Sequence, residues 1–361
     1  MHLTVLNVAY PFAPVGPDAV GGAEQVVAQL DAALTRAGHD SVVIAGEGSS
    51  CEGILISMPK PDGKLDESAR RKVHQQYRAA ICKLLDRWRF DVIHMHGIEF
   101  HEYLPPEGVP VLVTLHLPPQ WYPPEIFKLS RAHTYFHCVS ETQRRACPEC
   151  AALLPVVENG VREELFCASH AKRNFTVALG RICPEKGFHI ALDAAKDARI
   201  SMLLAGEVFR YETHQNYFRN QIVPRLDGER RFVGPIGLKR KRRLLSAARC
   251  LLVPSLVPET SSLVAMESLA CGTPVVAFAS GALAEIVEHG KTGFLVENAK
   301  EMAEAIDAID WINPDACREA ARARFSMDRT VENYFAIYSR LAGEMTQLET
   351  AAAMRETSFA A

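Results

Sequence analysis

The sequence lacks several features, and each lack removes a class of protein. No stretch approaches the roughly 20 consecutive apolar residues that cross a bilayer, so no membrane-spanning helix is expected. Neither sign of charge is in excess. The formal net charge is −3, which gives no global attraction to nucleic acid or to an anionic surface. The opening run MHLTVLNVAY has no basic stretch before it and no small-residue cleavage site after it. It reads as a buried strand, and a cytoplasmic location is expected. Cysteine spacing has no pattern either: the ten cysteines are scattered, and Cys250 and Cys271 sit in apolar surroundings, as reduced thiols do. Cys147-Pro-Glu-Cys150 has no second pair to complete a zinc or redox motif. His94, His96 and His101 match no standard zinc spacing, and a strand end before Gly97 accounts for the run without metal.

What is present is a globular mixture long enough for two domains. The chain has 361 residues, 48% of them hydrophobic, against about 150–180 residues for an ordinary core. Short β-rich runs alternate with amphipathic helical stretches. His2–Val8, Ser41–Ala45, Asp91–His94, Val109–Leu115 and Phe136–Val139 read as strands of a first half, with a helix over Ala23–Ala37. Val156–Arg162 reads as a short strand and turn. The pattern restarts at Phe175–Gly180 and continues through Ser201–Ala205, Arg231–Val233, Cys250–Val253 and Pro274–Phe278. Alternation of this kind implies parallel sheets with helices on both faces. The expected domains are residues 1–165 and 166–326. Residues 327–361 follow as a C-terminal helix packing back toward the first domain, its stripe being Val331, Tyr334, Phe335, Tyr338 and Leu341. Open parallel sheets bind ligands beyond the C-terminal ends of their strands, so two such domains facing each other across a cleft would share one site.

The most informative segment is Leu251–Ala277, LLVPSLVPETSSLVAMESLACGTPVVA. A strand runs into a loop, and a helix begins near Ser261 or Ser262, where a serine hydroxyl can cap free backbone N–H groups. Gly272 is placed for a left-handed cap at the far end. A helix N-terminus of this kind favours a diphosphate. Glu259 precedes that end and Glu267 lies beyond it, giving two hydroxyl-binding carboxylates that flank a phosphate site. Farther upstream, FTVALGRICPEKGFH places Arg181 and Lys186 in a loop after a strand, where two cations would neutralise a leaving diphosphate.

Glu259 and Glu267 followed by SLACGTPVVA resemble the signature of the retaining GT-B glycosyltransferases of family four. The Gly180-Arg181 and Lys186-Gly187 pattern resembles the same family. The resemblance implies an α/β fold of two Rossmann-like domains, with a sugar moved from a nucleoside diphosphate sugar (UDP- or GDP-linked) to a glycan, lipid or small-molecule acceptor. By that resemblance Glu259 binds the sugar, Glu267 the ribose, Leu263 the nucleotide, and Arg181 and Lys186 the phosphates. Ser261 and Ser262 stand where the family often has an aromatic residue and a glycine. Gly21 and Gly22, opening the first helix, resemble the family's first-domain glycine loop. His116 matches a histidine near donor sugar or acceptor, and backbone near Ile236 falls at the nucleobase pocket. No Asp-x-Asp motif occurs, so a metal-independent reaction is expected.

Other readings are weighed beside this one. A sugar-nucleotide epimerase or hydrolase of the same fold would turn over donor without acceptor. A non-catalytic nucleotide-sugar-binding protein would bind it without cleavage. The basic helix Arg70–Arg89 carries Val73, Tyr77, Ile81, Leu84, Leu85 and Trp88 on one face, and packing on the first sheet is favoured over a membrane-surface role. Lys239–Arg243 reads as a solvated helix start rather than a nucleic-acid patch, with one of its cations a candidate for a place near the donor.

Overall fold

A computed structural model describes residues 1–61, 63, 65–166 and 170–359, with the side chains of 346 and 348–359 set aside. The chain forms two compact units. The first comprises Met1–Val139, Ala146–Val157 and Val331–Ala361; the second comprises Ser140–Arg145 and Glu158–Thr330. The chain changes unit at 139/140, 145/146, 157/158 and 330/331; the last two lie beside the expected 165/166 and 326/327.

The first unit holds a parallel six-stranded sheet: β1 (Thr4–Val8), β2 (Asp40–Gly46), β3 (Ile54–Met58), β4 (Val92–Met95), β5 (Val111–Leu115) and β6 (Thr134–Cys138), in the order β3-β2-β1-β4-β5-β6. The second repeats the plan with β7 (Phe175–Leu179), β8 (Ser201–Ala205), β9 (Arg230–Phe232), β10 (Cys250–Val253), β11 (Val275–Phe278) and β12 (Gly293–Val296), in the order β12-β11-β10-β7-β8-β9. The central strands are buried along their whole length, as β5 (VLVTL) and β10 (CLLV) are, because helices cover both faces of a parallel sheet. In each sheet the chain reverses its direction of travel once, between β1 and β4 and between β7 and β10. Ligands of open α/β sheets lie beyond the strand ends at that switch point.

Two strands escape the sequence reading. β3 (ILISM) is a partly exposed edge strand with no clean alternation, and β12 (GFLV) is only four residues long. Conversely, Val156–Arg162 does not form the expected strand. It contributes one isolated bridge, Val161 to Ser326, because Gly160 sits so close to the Ser326 carbonyl and Thr330 that no regular pairing develops. The basic helix runs over Glu67–Leu85, with Asp66 accepting a hydrogen bond from the Ala69 N–H at 2.9 Å. Val73, Tyr77 and Ile81 are buried in the core of the first unit, so the apolar face packs on the sheet. Among the described residues no helix is long and apolar enough to cross a membrane.

Candidate functional site

In the second unit the switch point falls between β7 and β10, and the loops after these two strands are locked together. The Leu256 N–H donates to the Glu185 carbonyl at 2.8 Å. Gly187 adopts a left-handed backbone (φ 63°), and a Cβ there would run into the Pro254 carbonyl. Glu259 is held in turn by a bridge to Gly281, with the Ala282 N–H donating to its carbonyl at 2.7 Å. Gly281 is also left-handed (φ 61°), and a Cβ would strike the Glu259 backbone. Only glycine satisfies both the dihedral and the close approach at these two points.

This frame brings Lys186 and Glu259 together: Nζ of Lys186 lies 2.5 Å from Oε1 of Glu259, and the Ser255 hydroxyl donates to the same oxygen. The helix that follows is Leu263–Ala270, and Ser262 is its N-cap residue. The expected serine cap is not made. Ser262 contributes no side-chain hydrogen bond, and its backbone ψ of 86° stands away from the usual capping geometry. The first turn closes through the Ala265 and Met266 N–H groups, both to the Ser262 carbonyl at 3.1 Å. The N–H groups of Leu263 and Val264 therefore have no intrahelical acceptor. The Ser261 hydroxyl beside them is buried without a hydrogen-bond partner. At the far end Gly272 takes the left-handed conformation expected of it (φ 68°).

Glu267 lies one turn into that helix and is buried. Burial pushes its carboxyl above the ordinary carboxylate range, against the pull of Lys241, whose Nζ lies 2.5 Å from Oε1. Lys241 comes from the helix Leu238–Ala247, inside the basic run that the sequence reading left to solvent but for one cation. Its ammonium also lies over the Phe166 ring at 5.7 Å. Ser255 and Gly281 are site residues that sequence reasoning missed, and Lys241 was not singled out within the run expected to offer one cation near the donor. The only signal for Lys241 was an excess of cations before a strand. Ile236 is half-buried against the second core after β9, and Arg181 follows Gly180 in the loop carrying Lys186.

Gly21, Gly22 and His116 belong to the first unit. Gly21 has ordinary extended dihedrals (φ −84°, ψ 142°), and a side chain there would collide with the folded-back carboxylate of Glu24. Its want of a side chain makes room for that buried acid at the helix start. His116 follows β5, and its Nε2 lies 3.0 Å from Nδ1 of His96. Desolvation, with His137 adding, pushes His116 down to about 3. His94 and His96 are likewise held well below the usual imidazole value by burial.

The tautomers of the deeper histidines follow from one carbonyl. Nδ1 of His137 lies 3.1 Å from the Cys138 oxygen, which can only accept, so that nitrogen carries the hydrogen. The Thr114 hydroxyl then donates to His137 Nε2 at 2.7 Å and accepts from His94 Nε2 at 2.6 Å. His94 Nδ1 is left as the acceptor for the Tyr338 hydroxyl. Both ring nitrogens of His94 and His137 are thereby satisfied, whereas His96 Nε2 is buried without a hydrogen-bond partner, and His101 pairs separately with Glu102. Cys147 contacts Cys138 (Sγ to Sγ 3.3 Å), and the described cysteines are free thiols.

Both halves of the chain match glycosyltransferase families. Residues 20–165 match the family described as Glycosyltransferase Family 4, and residues 173–309 match Glycosyl transferases group 1. An uncharacterized glycosyltransferase of Methanocaldococcus jannaschii is 29% identical over 197 residues, which are 52% of this chain and 53% of that protein. The chain thus spans about half the length of the relative it matches. Among solved structures, sucrose-phosphate synthase from Thermosynechococcus elongatus is similar with a TM-score of 0.78 at 20% identity, over 94% of this chain and 100% of that one. Anabaena HepE in complex with UDP-glucose is similar with a TM-score of 0.71 at 19% identity, over 94% and 100% of the two chains. The fold expected from the sequence, α/β of the GT-B type, is the fold these structures share.

Proposed function

We propose that this chain, which belongs to the group 1 and family 4 glycosyltransferases, moves a sugar from a nucleoside diphosphate sugar to an acceptor with retention at the anomeric carbon. One observation carries the reading. At the switch point of the second sheet, a cation from the β7 loop and a carboxylate from the β10 loop meet just before a helix with free N–H groups. Lys186 neutralises Glu259. When donor enters, the Lys186 and Arg181 charges turn to the diphosphate, which the helix N-terminus also favours, and Glu259 is released to accept from sugar hydroxyls. Glu267, kept polar by Lys241, accepts from the ribose, with Leu263 and Ile236 against the nucleotide and Ser261 and Ser262 lining the approach. As the glycosidic bond to phosphate breaks, the growing negative charge is stabilised by the same fixed cations, without reorganisation of solvent. The departing phosphate takes the acceptor proton on the same face, which keeps the stereochemistry. Transfer by this route needs no metal. By the same resemblance Gly21 and Gly22 are assigned to donor binding, and His116 to the donor sugar or the acceptor.

The donor is a uridine or guanosine diphosphate sugar, and the UDP-glucose complex of HepE supports the uridine form. A thermal-shift screen of UDP- and GDP-sugars, followed by product identification with the best binder, tests this reading. Arg181→Ala and Glu259→Ala are expected to abolish transfer. Near-normal transfer in both variants sinks the assignment. Donor cleavage without any acceptor points instead to a hydrolase or epimerase, and binding without cleavage to a non-catalytic protein.

A further inference from the structure

The loop after β7 carries, between Arg181 and Lys186, two side chains that the sugar-transfer reading does not use. Cys183 is buried on extended backbone, and Glu185 lies in the short turn Pro184–Lys186. The helix Glu212–Tyr217 brings His214 to the same place. One ligand atom from each of the three lies within 4.8 Å of the others, and among the described residues no other trio of such side chains does so. His214 Nδ1 is buried with no hydrogen-bond partner, an orphaned polar atom that needs an explanation. Its ring is fixed edge-on by Tyr211 and Phe209, with centroids 5.2 and 6.2 Å away. The Glu185 backbone is fixed as well, by its carbonyl bond to Leu256.

We propose that Cys183, Glu185 and His214 bind a single divalent cation of the zinc class, leaving the fourth coordination position to water. Thiolate, imidazole and carboxylate together suit zinc or cobalt, and a sulfur ligand disfavours magnesium and calcium, which take oxygen. Ligand bonds of about 2.0–2.3 Å in a tetrahedron place the ligand atoms about 3.3–3.7 Å apart, so side-chain movement of about 1 Å closes the site. The thiol proton leaves to solvent as the thiolate binds. The site lies outside the transfer step, and the proposal stands whether or not the sugar-transfer reading does.

The test is titration of the metal-free full chain with Co²⁺ alone. A thiolate-to-cobalt charge-transfer band saturating at one equivalent and displaced by Zn²⁺ is expected. Cys183→Ser should abolish the band, His214→Ala should weaken cobalt binding about tenfold or more, and Cys147→Ser should change neither. His214 is only partly buried, so His214→Ala carries the test if Cys183→Ser does not fold. Absence of the band in the parent chain, its loss only in Cys147→Ser, or unchanged cobalt affinity in His214→Ala overturns the proposal.

Discussion

The Tyr338 hydroxyl donates to Nδ1 of His94 at 2.7 Å, across 244 positions of sequence. Both groups are buried, so neither can exchange this bond for water when it is lost. Tyr338→Phe should therefore cost about 1–3 kcal/mol, with His94 left holding an unfilled acceptor. Urea unfolding of the two proteins measures it. A cost within error of zero would mean that this hydrogen bond adds nothing net to stability.

The histidine cluster makes a pH prediction. His94, His96, His116 and His137 are neutral in the fold, with pKa values below the ordinary 6.5: about 3 for His116 and about 4 for His137. The unfolded chain takes up protons below pH 6.5 that the fold refuses. The stability these groups contribute is thus full above that pH and is lost as pH falls toward the folded values. Each such proton steepens the decline by about 1.4 kcal/mol per pH unit. His137→Asn should flatten the profile between about pH 6 and pH 4.5 by close to one proton's worth; unfolding free energies across that range decide it.

Lys241 and Glu267 form a buried pair whose halves are unequal in isolation. Lys241→Met strands the carboxylate and raises its pKa further. A carboxyl raised in the fold contributes stability that is present below its unfolded value and lost as pH rises through the folded one. The deficit of the variant should therefore be small in acid and reach about 3 kcal/mol at neutral pH. Adding Glu267→Gln should recover much of it, as denaturant melts at two pH values will register.

Ser261 separates binding from stability. Its buried hydroxyl has no partner, so Ser261→Ala should change the unfolding free energy by less than about 0.5 kcal/mol. If the hydroxyl serves the donor, KM for the donor rises while kcat is nearly kept. Unchanged kinetics remove Ser261 from the site.

Much of this was legible because the carrying elements are buried on both faces. β10 reads as an unbroken apolar run and β5 as one interrupted only by Thr114, and the Glu259–Glu267 spacing marks the donor-site helix. β3 was not read although four of its five residues are apolar, because its mixed burial at the sheet edge gives no two-residue alternation. Nor was Lys241, because nothing local distinguishes the one cation in five that reaches a buried acid from its neighbours in the run. The failed Ser262 cap shows the limit of residue type alone: a serine in the right place still needs suitable backbone dihedrals.

The first unit is assembled from both ends of the chain, and this bears on its birth at the ribosome. The segment Glu158–Thr330 is fully translated before Tyr334 and Tyr338 exist. Until they emerge, the polar layer of Thr114, His94 and His137 waits in the nascent protein without its hydroxyl donors. A chain ending before Val331 would carry the strands of both sheets, but His94 and Thr114 of the first would lack their Tyr338 and Tyr334 partners.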